Sequence, residues 1–152
     1  ELRNQRLWAG EPVADIFVQG GRPLRGITVG GAQIPKTIDE LPVFTVAAAV
    51  AEGKTVIRDA GELRVKESDR LAVLAGELSK LGVKVSELAD GLVLEGGRPL
   101  QGAVVDSHGD HRIAMTLAVA GLVAKGQTTV YGAEAIDISF PGFIDYLTQL
   151  SQ

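Results

Sequence analysis

Gly20-Gly21-Arg22-Pro23-Leu24-Arg25-Gly26 returns later in the chain as Gly96-Gly97-Arg98-Pro99-Leu100-Gln101-Gly102, with Arg25 against Gln101 the one difference. A second match runs from Asp39 through an apolar stretch to Gly53-Lys54-Thr55-Val56. It is answered by Asp110 through to Gly126-Gln127-Thr128-Thr129. The recurring unit is helix–strand–helix–strand–strand over roughly 70–75 residues, longer than the about 20–50 residues of solenoid repeats. A duplication of this kind implies an α/β domain whose equivalent apolar helices pack side by side in its interior. The repeats are expected at about residues 20–95 and 96–152.

Local signals set the elements. Residues 13–19 and 24–29 are expected as strands around the turn at 20–23, with 1–12 an uncertain polar segment. Pro42 near a start and Gly53 past an end frame a helix over 42–52, apolar nearly all round and hence buried. A strand follows at 54–58. Leu71, Leu74, Leu78 and Leu81 mark one face of a second helix, which Ser68 or Asp69 can cap. Strands at 83–85 and 92–95 flank Asp90-Gly91, a hairpin turn signal. Further elements are a strand at 103–105, an apolar helix at 113–124 and a strand at 128–131. A last helix opens at Phe140-Pro141, with Phe143, Ile144 and Leu147 on its apolar side.

Composition excludes several classes. Net charge is −4 without a long basic run, which argues against nucleic acid as a partner. There is no Cys, hence no disulfide, thiolate nucleophile or thiolate metal site. The two His residues lack zinc-site spacing, so no metal is expected. No run of about 18 apolar residues marks a membrane span, and no signal peptide is present, which suits the cytoplasm. The chain opens Glu1-Leu2-Arg3 and its single Met is Met115, so an N-terminal portion is expected to be missing.

The chemistry concentrates in two stretches. Arg64-Val65-Lys66-Glu67-Ser68-Asp69-Arg70 places its charges just before a helix, where free N–H groups and the helix dipole favour an anion. Arg offers a two-pronged grip on carboxylate or phosphate, Lys a point charge. Glu67 and Arg70, three apart, could equally form an ordinary surface pair worth about 0.2–0.5 kcal/mol. Asp39 and Asp110 each stand where a buried helix begins and could be no more than caps. His111 and Arg112 beside Asp110 go beyond what a cap needs. If equivalent helices start on one side, Lys66, Arg70 and Arg112 meet Asp39, Glu67 and Asp110 on one face. That face suits a small, doubly anionic substrate and acid–base work.

These motifs carry a resemblance. Asp39-Glu40-x-Pro42, Leu63 through Arg70, Gly109-Asp110-His111-Arg112-Ile113-Ala114-Met115 and Phe140-Pro141 together closely resemble the C-terminal part of the EPSP synthase family, over essentially the whole chain. Neither of the two charged stretches is expected in the related UDP-N-acetylglucosamine enolpyruvyl transferase. The resemblance implies an enolpyruvyl-transferase-type α/β domain of repeated βαβαββ units with buried parallel helices, an inside-out α/β barrel. Residues 1–152 would be an incomplete half of a two-domain enzyme, its partner the missing N-terminal domain. The implied reaction passes the enolpyruvyl group of phosphoenolpyruvate to the 5-hydroxyl of shikimate 3-phosphate and releases phosphate. It needs no metal or organic cofactor, belongs to aromatic amino-acid biosynthesis and is the target of glyphosate.

By the same resemblance, Asp39 would deprotonate the hydroxyl, and Glu67 would deliver and remove the methylene proton. Lys66 would assist proton transfer and bind phosphoenolpyruvate. Arg70 and Arg112 would clamp its carboxylate and phosphate, with Asp110 and His111 in support. One departure stands out: many members carry a Lys shortly before Phe-Pro, whereas this chain reads Ile136-Asp137-Ile138-Ser139-Phe140-Pro141. The chain alone is expected to fold at least partly and turn over little or nothing. The alternatives are transfer to another acceptor on the same fold, or a non-catalytic anion-binding module.

Overall fold

Parallel pairing of nearly identical register occurs twice. A computed structural model describes residues 1–151. Its strands are β1 (Leu2–Trp8), β2 (Glu11–Ile16), β3 (Thr28–Val29), β4 (Gly53–Ile57), β5 (Lys84–Leu88), β6 (Gly91–Gly96), β7 (Val104–Asp106) and β8 (Thr129–Tyr131). Its helices are α1 (Ile34–Thr37), α2 (Leu41–Val50), α3 (Arg70–Lys80), α4 (His111–Val123) and α5 (Phe143–Leu150). In one pairing Thr28 lies opposite Val56 and Val29 opposite Ile57. In the other Val104 lies opposite Thr129 and Val105 opposite Val130. An isolated bridge precedes each, Arg25 to Glu52 and Gln101 to Lys125. The Glu52 N–H donates to the Leu24 carbonyl and the Gly26 N–H to that of Glu52. Lys125, Leu100 and Gly102 repeat the arrangement.

The glycine that closes each copy has a packing reason. A Cβ on Gly26 would stand 2.2 Å from the Lys54 carbonyl oxygen, and one on Gly102 2.2 Å from that of Gln127. Both contacts are with backbone, which cannot swing aside. Gly26→Ala and Gly102→Ala are each expected to cost about 1–3 kcal/mol, as overpacked sites do. Urea unfolding of the two variants checks this, and an unchanged midpoint would sink the close-approach account.

β3, β4, β6 and β5 form one sheet in that order, antiparallel except for β3 with β4. β7 and β8 pair by themselves, and β1 with β2 make a separate, largely exposed hairpin. The core gathers Leu71, Leu74, Leu78 and Leu81 from α3 and its end, Ile113 and Leu117 from α4, Val46 and Ala49 from α2, and Leu92 and Leu94 from β6. α2, α3 and α4 pack against one another. Among the described residues no helix is long and apolar enough to cross a membrane, and no group of His, Asp and Glu side chains is placed to hold a metal ion.

Several boundaries differ from the sequence reading. Residues 1–12 hold β1 and the start of β2, whose polar composition reflects a hairpin exposed on both faces. The strand expected over 13–19 ends at Ile16, and that over 24–29 narrows to Thr28–Val29 because pairing before it is reduced to the single Arg25 bridge. α2 stops at Val50, and Val43 and Val50 are exposed, so its burial is one-sided. The loop of the β5–β6 hairpin is Ala89-Asp90, and Gly91 is the first residue of β6. Gly91 serves close packing there: a Cβ would fall 1.9 Å from the Ile57 carbonyl oxygen. α5 begins at Phe143, after Gly142 in the left-handed region has turned the chain past Pro141.

Candidate active site

Three helix N-termini meet at one guanidinium. Arg70, the first residue of α3, is 1% exposed. Its Nε donates to Asp110 Oδ2 at 2.8 Å and its Nη2 to Asp110 Oδ1 at 3.2 Å, the forked geometry that Arg and a carboxylate favour. Nη2 also donates to Glu67 Oε2 at 2.6 Å. Nη1 lies 3.5 Å from Asp39 Oδ1 and, although buried, has no hydrogen-bond partner among the described residues. Asp39 precedes α2, Arg70 opens α3 and Asp110 caps α4, so these contacts tie three helix starts together.

The two aspartates play different parts. Asp110 is fully buried and caps α4, accepting from the Arg112 and Ile113 backbone N–H groups at 2.9 and 3.4 Å. Burial pushes its carboxyl up, but the Arg70 guanidinium outweighs this and, with the Ser68 hydroxyl and the Arg112 N–H, holds it below the ordinary carboxylate value. Asp39, by contrast, caps nothing. α2 starts after Glu40 without a side-chain cap. Freed from capping, Asp39 Oδ2 pairs with Arg112 Nη2 at 3.2 Å, and Arg112 Nη1 donates to the Asp39 carbonyl at 3.1 Å.

Of the charged stretch before α3, Asp69 supplies the cap, accepting from the Ala72 N–H at 3.1 Å. Ser68 turns the other way and donates to Asp110 Oδ2 at 3.0 Å. Arg64 braces the stretch from behind. It holds Asp69 at 2.9 Å, the carbonyls of Leu88 and Ala89, and Glu87. His111 Nδ1 stands 4.0 Å from Glu67 Oε1. Lys66 does not join the group: its Nζ donates to Glu62 Oε1 at 2.5 Å. The structure thus brings together Asp39, Glu67, Arg70, Asp110, His111 and Arg112, and leaves Lys66 beside them.

Ser68, a candidate cap for α3, yields that place to Asp69 and serves Asp110 instead. The bracing role of Arg64 escaped the sequence reading because it follows no periodicity; its one signal was position at the edge of the charged stretch.

The electrostatic balance limits what this cluster can accept. Carboxylates outnumber guanidiniums, and every guanidinium is already shared. An incoming dianion would need Lys66. Its pair with the exposed Glu62 is of the kind worth roughly 0–1 kcal/mol, so releasing it costs little. Beside the cluster, a cavity of about 210 Å³ is walled by Asp39, Val43, Arg112, Met115, Phe140 and Phe143 among others. A larger apolar groove of about 300 Å³ beside α1 contains none of the charged residues of the cluster. The segment past Gly126 carries neither Lys nor Arg, so the side of the cavity near Phe140 gains no cation from it.

Comparison with known proteins gives a consistent result. A profile of the family described as EPSP synthase (3-phosphoshikimate 1-carboxyvinyltransferase) matches residues 5–147. The 3-phosphoshikimate 1-carboxyvinyltransferase of Roseiflexus sp. (strain RS-1) is 55% identical over 152 residues, covering 100% of this chain and 35% of its own. That of Pelotomaculum thermopropionicum is 61% identical over 140 residues, 92% of this chain and 32% of the relative. An EPSP synthase structure from Acinetobacter baumannii superposes with a TM-score of 0.93 at 42% identity, over 98% of this chain and 35% of that one. The enolpyruvyl transferase NikO from Streptomyces tendae superposes at 0.62 with 24% identity, over 98% of this chain and 32% of that one, a likeness of fold alone. The chain therefore spans about a third of the length of the relatives it matches.

Proposed function

The chain belongs to the EPSP synthase family, and from that premise we propose that it contributes the phosphoenolpyruvate side of the active site to a 3-phosphoshikimate 1-carboxyvinyltransferase. In the complete protein the enolpyruvyl group of phosphoenolpyruvate passes to the 5-hydroxyl of shikimate 3-phosphate and phosphate leaves. Residues 1–152 form part of the C-terminal domain, with repeats at about 20–95 and 96–152. The rest of the enzyme supplies most of the grip on the shikimate phosphate. A cytoplasmic location and glyphosate as a ligand go with this reading.

The observation that carries the reading is the convergence of Asp39, Glu67, Arg70, Asp110 and Arg112 where α2, α3 and α4 begin. In the addition step Asp39 takes the proton of the 5-hydroxyl, whose oxygen bonds to the central carbon of phosphoenolpyruvate. Glu67, half-exposed and held by Arg70 through one oxygen, protonates the methylene carbon from its carboxylic-acid form and is left as the carboxylate. In the elimination step Glu67 recovers a proton from the resulting methyl group as the carbon–oxygen bond to phosphate breaks, and the proton held by Asp39 passes to the departing phosphate. Arg112 and Lys66 offer charge to the carboxylate and phosphate of the substrate. Arg70, through its unpartnered Nη1, adds one directional donor and fixes Glu67. Asp110 and His111 hold these groups in place. Preorganised donors of this kind stabilise charge as it develops, and closure of two domains excludes water.

The test is phosphate release by a chimera in which this chain replaces the matching third of the Roseiflexus relative. Release should depend on both phosphoenolpyruvate and shikimate 3-phosphate, and the chain alone should release little or none. Release that is absent, or indifferent to shikimate 3-phosphate, would overturn the proposal.

A further inference from the structure

A carboxylate on α3 reaches the segment that leads into Asp110, His111 and Arg112. Glu77 lies two helical turns after Arg70, on the same face of α3. It is 4% exposed, a buried acid among the leucines of that face. Its Oε2 accepts from the Asp106 backbone N–H at 2.9 Å, and its Oε1 stands 3.3 Å from His108 Nε2. Lys80 Nζ holds both oxygens from the solvent side at 2.7 and 2.8 Å. Burial pushes the Glu77 carboxyl up, but Lys80, the Asp106 N–H and His108 together hold it below the ordinary value, so it stays ionised at neutral pH.

The segment it touches is a turn that needs holding. Between β7 and α4 the chain passes through His108 at φ 53° and Gly109 at φ 74°. For His the left-handed region is unfavourable by roughly 1–2 kcal/mol. Within the turn, the Asp106 carboxylate accepts the His108 N–H, and the Ser107 hydroxyl accepts that of Gly109. Ser107 in turn donates to the Gly132 carbonyl at 3.0 Å. α3 therefore grips this connection at both ends, through Glu77 at Asp106 and through Arg70 at Asp110. One grip leaves the turn free to pivot about Asp110. Two set the direction in which α4 presents its first residues.

We infer that Glu77 is a positioning residue for the proposed reaction: by fixing the Asp106–Gly109 turn it sets where Asp110, His111 and Arg112 stand toward phosphoenolpyruvate. This rests on the functional reading above. A merely structural acid would support the fold as a whole. A positioning acid acts on one turn and one substrate.

Amide hydrogen exchange of the chain reads the first consequence. Glu77→Ala, or Glu77→Leu should the smaller side chain unfold the protein, is expected to speed exchange at least tenfold at Ser107, Gly109, Asp110 and Arg112. The amides of β4 and β6 should stay within about twofold. Glu77→Gln, which keeps an acceptor for the Asp106 N–H, should restore protection to within about threefold, and Lys80→Ala should leave the turn unchanged. Equal acceleration everywhere, or none at the turn, would overturn the inference. In the active chimera, Glu77→Ala should raise KM for phosphoenolpyruvate at least tenfold with KM for shikimate 3-phosphate within about twofold. A fall in kcat with both KM values unchanged would overturn the inference while leaving the functional reading intact. An inactive unsubstituted chimera would overturn that reading, and with it the phosphoenolpyruvate half of this inference.

Discussion

Asp110→Ala is expected to cost about 3–5 kcal/mol of folding stability, the usual consequence of removing one partner of a buried ion pair. For a chain of this size that is a fall in Tm of roughly 6–20 °C. Two losses combine. The fully buried Arg70 keeps its charge but loses its forked partner, and α4 loses the cap on Arg112 and Ile113. The paired substitution Arg70→Met with Asp110→Asn separates them. Asn still caps a helix, Met removes the stranded charge, and the partly exposed Glu67 and Asp39 turn to water. It should recover more than half of the loss. A double variant no more stable than Asp110→Ala would mean that charge pairing is not the source.

The same pair makes stability depend on acid. The folded-state Asp110 carboxyl lies below its ordinary value of 3.8. A depressed carboxylate contributes its full stabilisation above the unfolded-state value and loses it as pH falls toward the lower folded-state one. Unfolding free energies measured below about pH 4 should therefore fall more steeply for the unsubstituted chain than for Asp110→Ala.

Glu67→Gln, in the chimera, should lower kcat by about 10²–10⁴, the range spanned by positioned acid–base groups. Its unfolding midpoint should hardly move, because the carboxylate is half-exposed and substitutions at such positions usually stay within about 0.5 kcal/mol. The contrast matters because Glu67 and Arg70 also form an i,i+3 ion pair that could serve the fold alone. A purely structural pair would leave kcat untouched. Loss of stability in proportion to loss of rate would place Glu67 among the supports of the fold.

Much of this was legible because the signals are local. The α3 leucines, the duplicated Gly-Gly-Arg-Pro-Leu stretches and Asp69 as a cap all depend on residues a few positions apart, where helix and turn chemistry act directly. The clustering of Asp39, Arg70 and Arg112 followed from the duplication, since equivalent helices start at one end. Other features were illegible for a common reason. Lys66 sits inside the charged stretch, yet its side chain leaves the cluster for Glu62. Glu77 sits in an apolar face as a charge whose one nearby partner is Lys80, three residues on, and its other partners lie in the β7–α4 turn, far along the chain. Gly91 resembled a turn residue, and only the approach of β4 shows that it is there to admit the Ile57 carbonyl.

The sequence by itself determined the family, the α/β class, the recurrence of the Gly-Gly-Arg-Pro-Leu stretch and the set of charged residues, because each is written in short-range patterns that local physical chemistry reads. Only the tertiary structure decided which charges face one another. It buried Arg70 among three carboxylates and made Asp110 a cap while freeing Asp39 to bind Arg112. The reason is electrostatic. A guanidinium out of water is tolerable only when its partners are fixed around it, and those partners come from helices distant in sequence, so their roles exist only once the helices have packed.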